Sequence, residues 1–230
     1  GYDTVDLAAC TAHGVAVTIT PDGARRPVAT ATLAMLLAVL HNLVAKDRLV
    51  REHKWAERTN LMGTGLNGLT IGLVGVGNTG GEFVRLLAPF DVTIIGNDPF
   101  CPPERAAELG VRLVGRDELA ATADAVVIMA ALTHDTFHAV DAAFLAAMKP
   151  SAVVINMARG PIVVNRDVLT QPAFEQRLKG LITIHGVVGC EGGWRVGHGL
   201  GVEVSRGWGF SLQPIRKTST CLTLPSRALM

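Results

Sequence analysis

The chain has 230 residues, of which 49% are hydrophobic and 18% charged, with a formal net charge of +1. That composition supplies a buried core and excludes an intrinsically disordered chain. The near-neutral charge gives no reason to expect nucleic acid or a membrane surface as a partner. Cys10, Cys101, Cys190 and Cys221 contain no C-x-x-C pair, so free thiols are expected, with no disulfide frame and no metal site. No basic, apolar, cleavable leader opens the chain, which points to the cytoplasm, and the start at Gly1 without a Met reads as a fragment.

In chain order, residues 5–12 read as a short helix with Gly14 as its stop. Val15-Ala16-Val17-Thr18-Ile19 then reads as a strand, and Pro21-Asp22-Gly23 as a turn. These first 22 residues look like the tail of a βα repeat. Residues 28–54 read as one long helix, with Pro27 suited to its first turn. Leu33, Leu36, Leu37, Leu40 and Leu43 recur along it at helical spacing. Its apolar part, residues 29–40, falls short of the ~20 residues a membrane span needs. A core or subunit-interface helix is expected, with His41 and His53 exposed on it. Residues 55–69 are polar and glycine-rich, a connection.

The informative stretch follows. Ile71-Gly72-Leu73-Val74 is short and apolar, as a buried strand is. Gly75-Val76-Gly77-Asn78-Thr79-Gly80 is G-x-G-x-x-G where a strand should turn into a helix. Phe83, Val84, Leu86 and Leu87 give that helix an apolar face, and Pro89 ends it. Val92-Thr93-Ile94-Ile95 reads as the next strand, with Asp98 just beyond. The spacing has a physical reason. Gly75 permits a tight turn, Gly77 lets a pyrophosphate approach bare backbone, and Gly80 lets helix and strand pack closely. The helix N-terminus turns free N–H groups toward the phosphates. Asp98, about twenty residues on, can accept hydrogen bonds from ribose hydroxyls, which favours NAD over NADP. A methyltransferase-type nucleotide fold uses similar features and is the rival reading.

Pro99, Pro102 and Pro103 force a loop. Residues 105–109 read as a helix, 111–114 as a strand and 117–122 as a helix capped at Arg116-Asp117. A buried strand over 125–129, a helix over 141–148 and an apolar strand over 151–156 complete the pattern. Strands alternating with short helices imply an α/β fold, a doubly wound parallel sheet of the Rossmann type. Leu181-Ile182-Thr183-Ile184 reads as one more strand. Residues 189–209 show no period, and the tail after about residue 171 is expected to be poorly ordered or differently built. Ligands of such sheets bind at the carboxyl ends of the strands. That edge carries the glycine turn, Asp98, residues 130–136 and Asn156-Met157-Ala158-Arg159-Gly160. From there Arg159 can hold a carboxylate in a two-point grip, or can simply make a surface ion pair.

Five segments occur in order: Gly1-Tyr2-Asp3-Thr4-Val5-Asp6-Leu7, Val28-Ala29-Thr30-Ala31-Thr32-Leu33-Ala34-Met35-Leu36-Leu37-Ala38, the glycine turn, Leu132-Thr133-His134-Asp135-Thr136, and Asn156-Met157-Ala158-Arg159-Gly160. Together they resemble the D-isomer-specific 2-hydroxyacid dehydrogenases over roughly residues 1–170. The resemblance implies NAD-dependent interconversion of a 2-hydroxy acid and a 2-oxo acid by a homodimer. It assigns Gly75, Gly77, Asn78, Thr79 and Gly80 to the pyrophosphate and Asp98 to the adenosine ribose. It places Ala130, Ala131 and Thr136 along the adenine or nicotinamide side, and Met157 and Ala158 against the nicotinamide. It makes Arg159 the catalytic residue that binds the substrate carboxylate and polarises its C2 oxygen. The long helix from Val28 would help form the dimer interface. The implied organisation is residues 1–22 as a remnant of a substrate domain, 23–170 as the NAD-binding domain and 171–230 as a divergent segment.

The sequence departs from the family pattern in several places. Ala131 stands where the family has proline, and Thr30 where it has an acid. The family's Glu–His acid/base pair should fall near Val188 and Ser211, and neither residue fits. Glu191 and His198 are the nearest substitutes, too close together in sequence. An impaired enzyme, or a protein that holds or senses NAD(H) without turnover, is the alternative the residues leave open.

Overall fold

The computed structural model describes residues 2–163 and the strand backbones of residues 180–184 and 202–204. Seven strands form one sheet: β1 (Thr70–Val74), β2 (Thr93–Asn97), β3 (Arg112–Leu113), β4 (Ala125–Ile128), β5 (Val153–Asn156), β6 (Gly180–Ile184) and β7 (Val202–Val204). Their order is β3-β2-β1-β4-β5-β6-β7. All neighbours run parallel except β6 and β7. The order reverses direction between β1 and β4, which puts a crevice outside the carboxyl ends of those two strands.

Continuous apolar strands are what a sheet covered on both faces requires. Val126, Ile128 and Val154 turn to one face and pack with Leu119, Phe144 and Leu145. Ile71, Leu73, Val127, Val153 and Ile155 turn to the other and pack with Leu36, Phe83 and Leu87. The helices follow this division. Leu119 belongs to α6 (Arg116–Thr122) and Phe144 to α7 (Ala142–Ala147). Leu36 belongs to α2 (Arg25–Leu40) and Phe83 to α4 (Asn78–Leu87). The doubly wound sheet is therefore as expected.

The amino ends of three strands are tied by one residue. Asp124 accepts the Thr70 N–H on Oδ2 at 2.9 Å and the Lys149 ammonium on Oδ1 at 2.8 Å, and its carbonyl accepts the Val153 N–H at 3.1 Å. β1, β4 and β5 thus start level, so their carboxyl ends line up.

Several expectations need correction. The single helix over 28–54 is two: α2 ends at Leu40, α3 spans Leu43–Arg51, and the pair bends by 62°. Asn42 makes the break in the left-handed conformation at φ 53°, which Asn tolerates better than most residues. Its Nδ2 donates to the carbonyls of Leu61 and Met62, while the Thr64 N–H donates to Leu40 O. Tertiary bonds thus replace the helical ones. A 3₁₀ helix, Trp55–Leu61, occupies part of the expected connection. Among the described residues no single helix is long and apolar enough to cross a membrane.

The helix α1, Leu7–Ala12, forms as expected, capped by Asp6. Residues 15–19, however, are not a strand: among the described residues they have no strand partner, and an apolar alternation needs a ladder to dock on. α6 begins after Gly115, with no side-chain cap, so the expected cap at Arg116-Asp117 is absent. The strand at 180–184 is present, and β7 lies inside a stretch expected to have no period. The remainder of the tail lies outside the described residues.

Phe83 is fully buried between α2 and the sheet. Phe83→Ala should lower the unfolding free energy by about 3–5 kcal/mol, seen as a shifted urea midpoint with an unchanged slope.

Candidate functional site

The carboxyl edge is shaped by backbone that has no room for side chains. Gly75, directly after β1, has φ +96°, and a Cβ there would lie 2.6 Å from Ala130 N. A Cβ on Gly80 would lie 2.6 Å from the Gly75 carbonyl oxygen. The first glycine therefore lets β1 turn against the end of β4, and the third lets α4 press on that turn. Gly77 differs, because a Cβ there would meet nothing within 4 Å. It sits just before Asn78, where α4 begins. The opening amides of a helix have no intrahelical carbonyl, and its N-terminus carries partial positive charge. The result is open, bare backbone at a helix N-terminus, where an anion is favoured.

Asp98 closes one side. Its Oδ2 accepts the Val76 N–H at 2.8 Å and its Oδ1 accepts the Phe100 N–H at 3.0 Å. The carboxylate is fixed against the glycine turn, and each oxygen keeps a second lone pair for a hydroxyl donor. Below it, Arg105 Nη2 donates to Asn78 Oδ1 at 3.3 Å, steadying the first helical residue. Cys101 is buried nearby; burial, then the charge of Asp98, push its thiol pKa up. It is consequently a poor nucleophile.

The ends of β4 and β5 supply the other side. The Met129 N–H donates to Val74 O at 2.8 Å and the Met157 N–H to Ile128 O at 3.1 Å. Ala130 and Met157 thus continue adjacent strand ends. Thr136 is turned inward: its hydroxyl donates to Ala131 O at 2.6 Å and accepts the Thr133 N–H at 2.8 Å. It shapes the loop around Ala131 rather than offering a free donor. Asn156, fully buried, fixes the next loop. Its Oδ1 accepts the Ala158 N–H at 3.0 Å and its Nδ2 donates to Arg159 O at 2.9 Å. An amide at the end of an apolar strand was the sequence signal for this role.

Arg159 follows immediately. Its Nε donates to Asp3 Oδ2 at 2.8 Å and its Nη2 to Asp3 Oδ1 at 3.0 Å. Its Nη1 donates to Ala158 O at 2.9 Å. The side-chain hydrogen bond from Arg159 lowers the Asp3 pKa, and Asp3 in turn raises that of Arg159. The guanidinium therefore stays charged. The sequence reading missed Asp3 as a partner, since 156 positions separate the two residues.

The structure brings Gly75, Gly77, Asn78, Thr79, Gly80 and Asp98 together around one turn, with Ala130 in contact. Met157, Ala158 and Arg159 stand at the end of β5, two strands along. Among the described residues, no histidine is hydrogen-bonded to Arg159. Val188, Glu191, His198 and Ser211 lie outside the described residues. A cleft of about 800 Å³ opens at the opposite end, lined by Leu69, Asp124 and Val153 at the amino ends of the strands and by Arg48 and Leu49 of α3. It is remote from the carboxyl edge.

Comparison with known proteins gives the same reading. Residues 33–182 match the family model for the D-isomer specific 2-hydroxyacid dehydrogenase, NAD binding domain. The chain is 37% identical over 163 residues to D-3-phosphoglycerate dehydrogenase of Mycobacterium tuberculosis, covering 71% of this chain and 31% of that protein. It is 35% identical over 169 residues to glyoxylate reductase of Thermococcus onnurineus, covering 71% and 51%. The chain thus spans about a third to a half of the length of these curated relatives. Among solved structures, D-lactate dehydrogenase from Aquifex aeolicus complexed with NAD and lactic acid superposes with a TM-score of 0.72 at 26% identity. That superposition covers 79% of this chain and 54% of that one. The glycine turn, the carboxylate beside it and the matched family model lead to one conclusion: the chain belongs to the D-isomer specific 2-hydroxyacid dehydrogenases and carries their NAD binding domain.

Proposed function

We propose that this chain holds NAD across the crevice between β1 and β4 and serves an oxidoreductase acting on the CH–OH group of a 2-hydroxy acid. The observation that carries the reading is the open backbone at Gly77 with the Asp98 carboxylate pinned beside it. The fit to the cofactor is physical. The amides of Asn78, Thr79 and Gly80 face a space that a single Cβ would begin to fill, as a pyrophosphate requires. Asp98 retains acceptor capacity for two ribose hydroxyls, and its charge opposes a 2′-phosphate. Bound there, the nicotinamide supplies a hydride acceptor or donor. Ala130, Ala131 and Thr136 would border one side of the dinucleotide, and Met157 with Ala158 the nicotinamide end.

The chain's own residues then have defined tasks. Arg159 keeps a permanent positive charge at the end of β5, where it would bind the substrate carboxylate and draw electron density from the C2 oxygen, making C2 more electrophilic toward hydride. A general acid/base would exchange the proton on that oxygen. We place residues 23–170 as the NAD-binding domain, 1–22 as part of a substrate domain and 171–230 as a divergent segment, in the cytoplasm. We further propose a homodimer formed through the α2–α3 region. Leu43, Val44, Val50, Trp55 and Met62 are exposed apolar side chains on that side, the kind of surface an interface covers.

Four experiments test this reading. Gly77→Ala should change stability by less than about 1 kcal/mol, its φ of −68° being open to alanine. It should nevertheless weaken NADH binding about tenfold or more, measured by calorimetry. Gly80→Ala should behave oppositely: in spite of alanine's better helix propensity it should cost about 1–3 kcal/mol through overpacking on Gly75 O. S-adenosylmethionine binding with no response to NADH would overturn the assignment. With glyoxylate or hydroxypyruvate as substrate, Arg159→Ala should raise KM about a hundredfold and leave the NADH dissociation constant unchanged. An unchanged KM removes Arg159 from its role, while NADH binding with no turnover identifies a holder of NAD(H). Light scattering should give twice the chain mass, returning to one chain mass in Val50→Asp.

A further inference from the structure

We infer that Asp3 is a positioning residue for Arg159, gripping one edge of the guanidinium so that the remaining donors are presented to a 2-oxo acid carboxylate. The inference rests on the reading of Arg159 above and adds a residue to it, one outside the stretch matched by the family model.

The donor count carries the argument. A guanidinium has five N–H groups in a fixed plane. Asp3 takes the Nε–H and one Nη2–H, and the Ala158 carbonyl takes one Nη1–H. Among the described residues the two that remain are one on each terminal nitrogen, the pair needed to meet two acceptors at once. The backbone beneath is also fixed, because Asn156 binds both the Ala158 N–H and the Arg159 carbonyl. An arginine without these ties samples many rotamers and must be ordered when substrate binds. Here the ordering is already present in the free protein, which is what preorganisation means.

The same pair has an opposing effect, since the Asp3 carboxylate offsets the charge that attracts a substrate anion. The two effects differ in range and screening. Partly exposed charges, here 37% and 23% exposed for Arg159 and Asp3, are screened by water, and Asp3 occupies the Nε edge, leaving one N–H on each terminal nitrogen. Alignment should therefore outweigh charge cancellation, and the sign of the Asp3→Ala effect decides between them.

The experiment has two readouts on the full chain. Side-chain ¹⁵N spectra should show the Arg159 Nε–H exchanging with water much more slowly than exposed arginines, with this protection lost in Asp3→Ala. Oxamate, which carries a carboxylate beside a carbonyl, should bind the NADH complex about tenfold more weakly in Asp3→Ala. Asp3→Glu should recover part of the loss, and the NADH affinity should stay unchanged in both variants, confirming that they fold. Oxamate binding that is unchanged or tighter in Asp3→Ala, in a protein where Arg159→Ala weakens it, overturns the inference alone. A rapidly exchanging Nε–H in the parent chain overturns it too. Oxamate binding indifferent to Arg159→Ala instead defeats the reading of Arg159 on which the inference stands.

Discussion

The carboxyl edge of the sheet depends on one steric constraint: backbone packed on backbone where no Cβ fits. Gly75 abuts the Ala130 amide and Gly80 abuts the Gly75 carbonyl. That contact lets α4 start with only three residues between it and the end of β1. The same turn points the Val76 N–H at Asp98. The glycine turn and the Asp98 carboxylate are therefore not independent features. A shift of the turn would lose both, because Asp98 is registered on the turn itself rather than on a neighbouring side chain.

This edge was legible in the sequence because each requirement falls on one residue type at one spacing. Glycine is the residue with no Cβ, and a carboxylate at the end of the second strand has few structural reasons to stand there. The sheet was legible for a related reason. Strands covered on both faces are short apolar runs, as in Ala125–Ile128 and Val153–Asn156. What failed was everything decided by distant partners. The leucine spacing runs on through Leu43, so residues 28–54 look like one helix. The break is imposed from residues 61–64, which bind Asn42 and Leu40 from outside. A Cβ on Gly63 would lie 2.7 Å from His41 Cα, so only glycine lets that segment lie against the break. Val15, Val17 and Ile19 alternate as a strand does and stay exposed, because periodicity states a preference and a ladder needs a second chain segment.

The site divides along the same line. Spacing singles out Gly77 and Asp98, and its place after a buried strand singles out Arg159. Asp124 and Asn156 were not assigned, though both are polar groups at the ends of apolar strands. The partners of Asp124, the Thr70 amide and the Lys149 ammonium, become its neighbours only when the sheet is assembled, whereas Asn156 binds backbone groups two and three residues further along its own loop. Asp3 is the extreme case. Nothing local marks it as different from Asp6, which caps α1; only the fold sets it beside the guanidinium.

The Asp3–Arg159 pair also changes what the first twenty residues are. Among the described residues it is the one polar side-chain link between that segment and the sheet, and much of the segment is otherwise exposed. A bidentate pair at a partly solvated position has good geometry and modest net energy. Such a link is suited to orientation more than to stability. It defines where the guanidinium points without making the segment inseparable from the sheet. It follows that any movement of the N-terminal segment is felt first at Arg159 and last at the glycine turn. The glycine turn is held by backbone packing, whereas the Arg159 side chain is held by the Asp3 ion pair and the Ala158 carbonyl. On the function proposed above, cofactor affinity is then a property of the sheet, whereas substrate affinity is shared with whatever fixes residues 2–20.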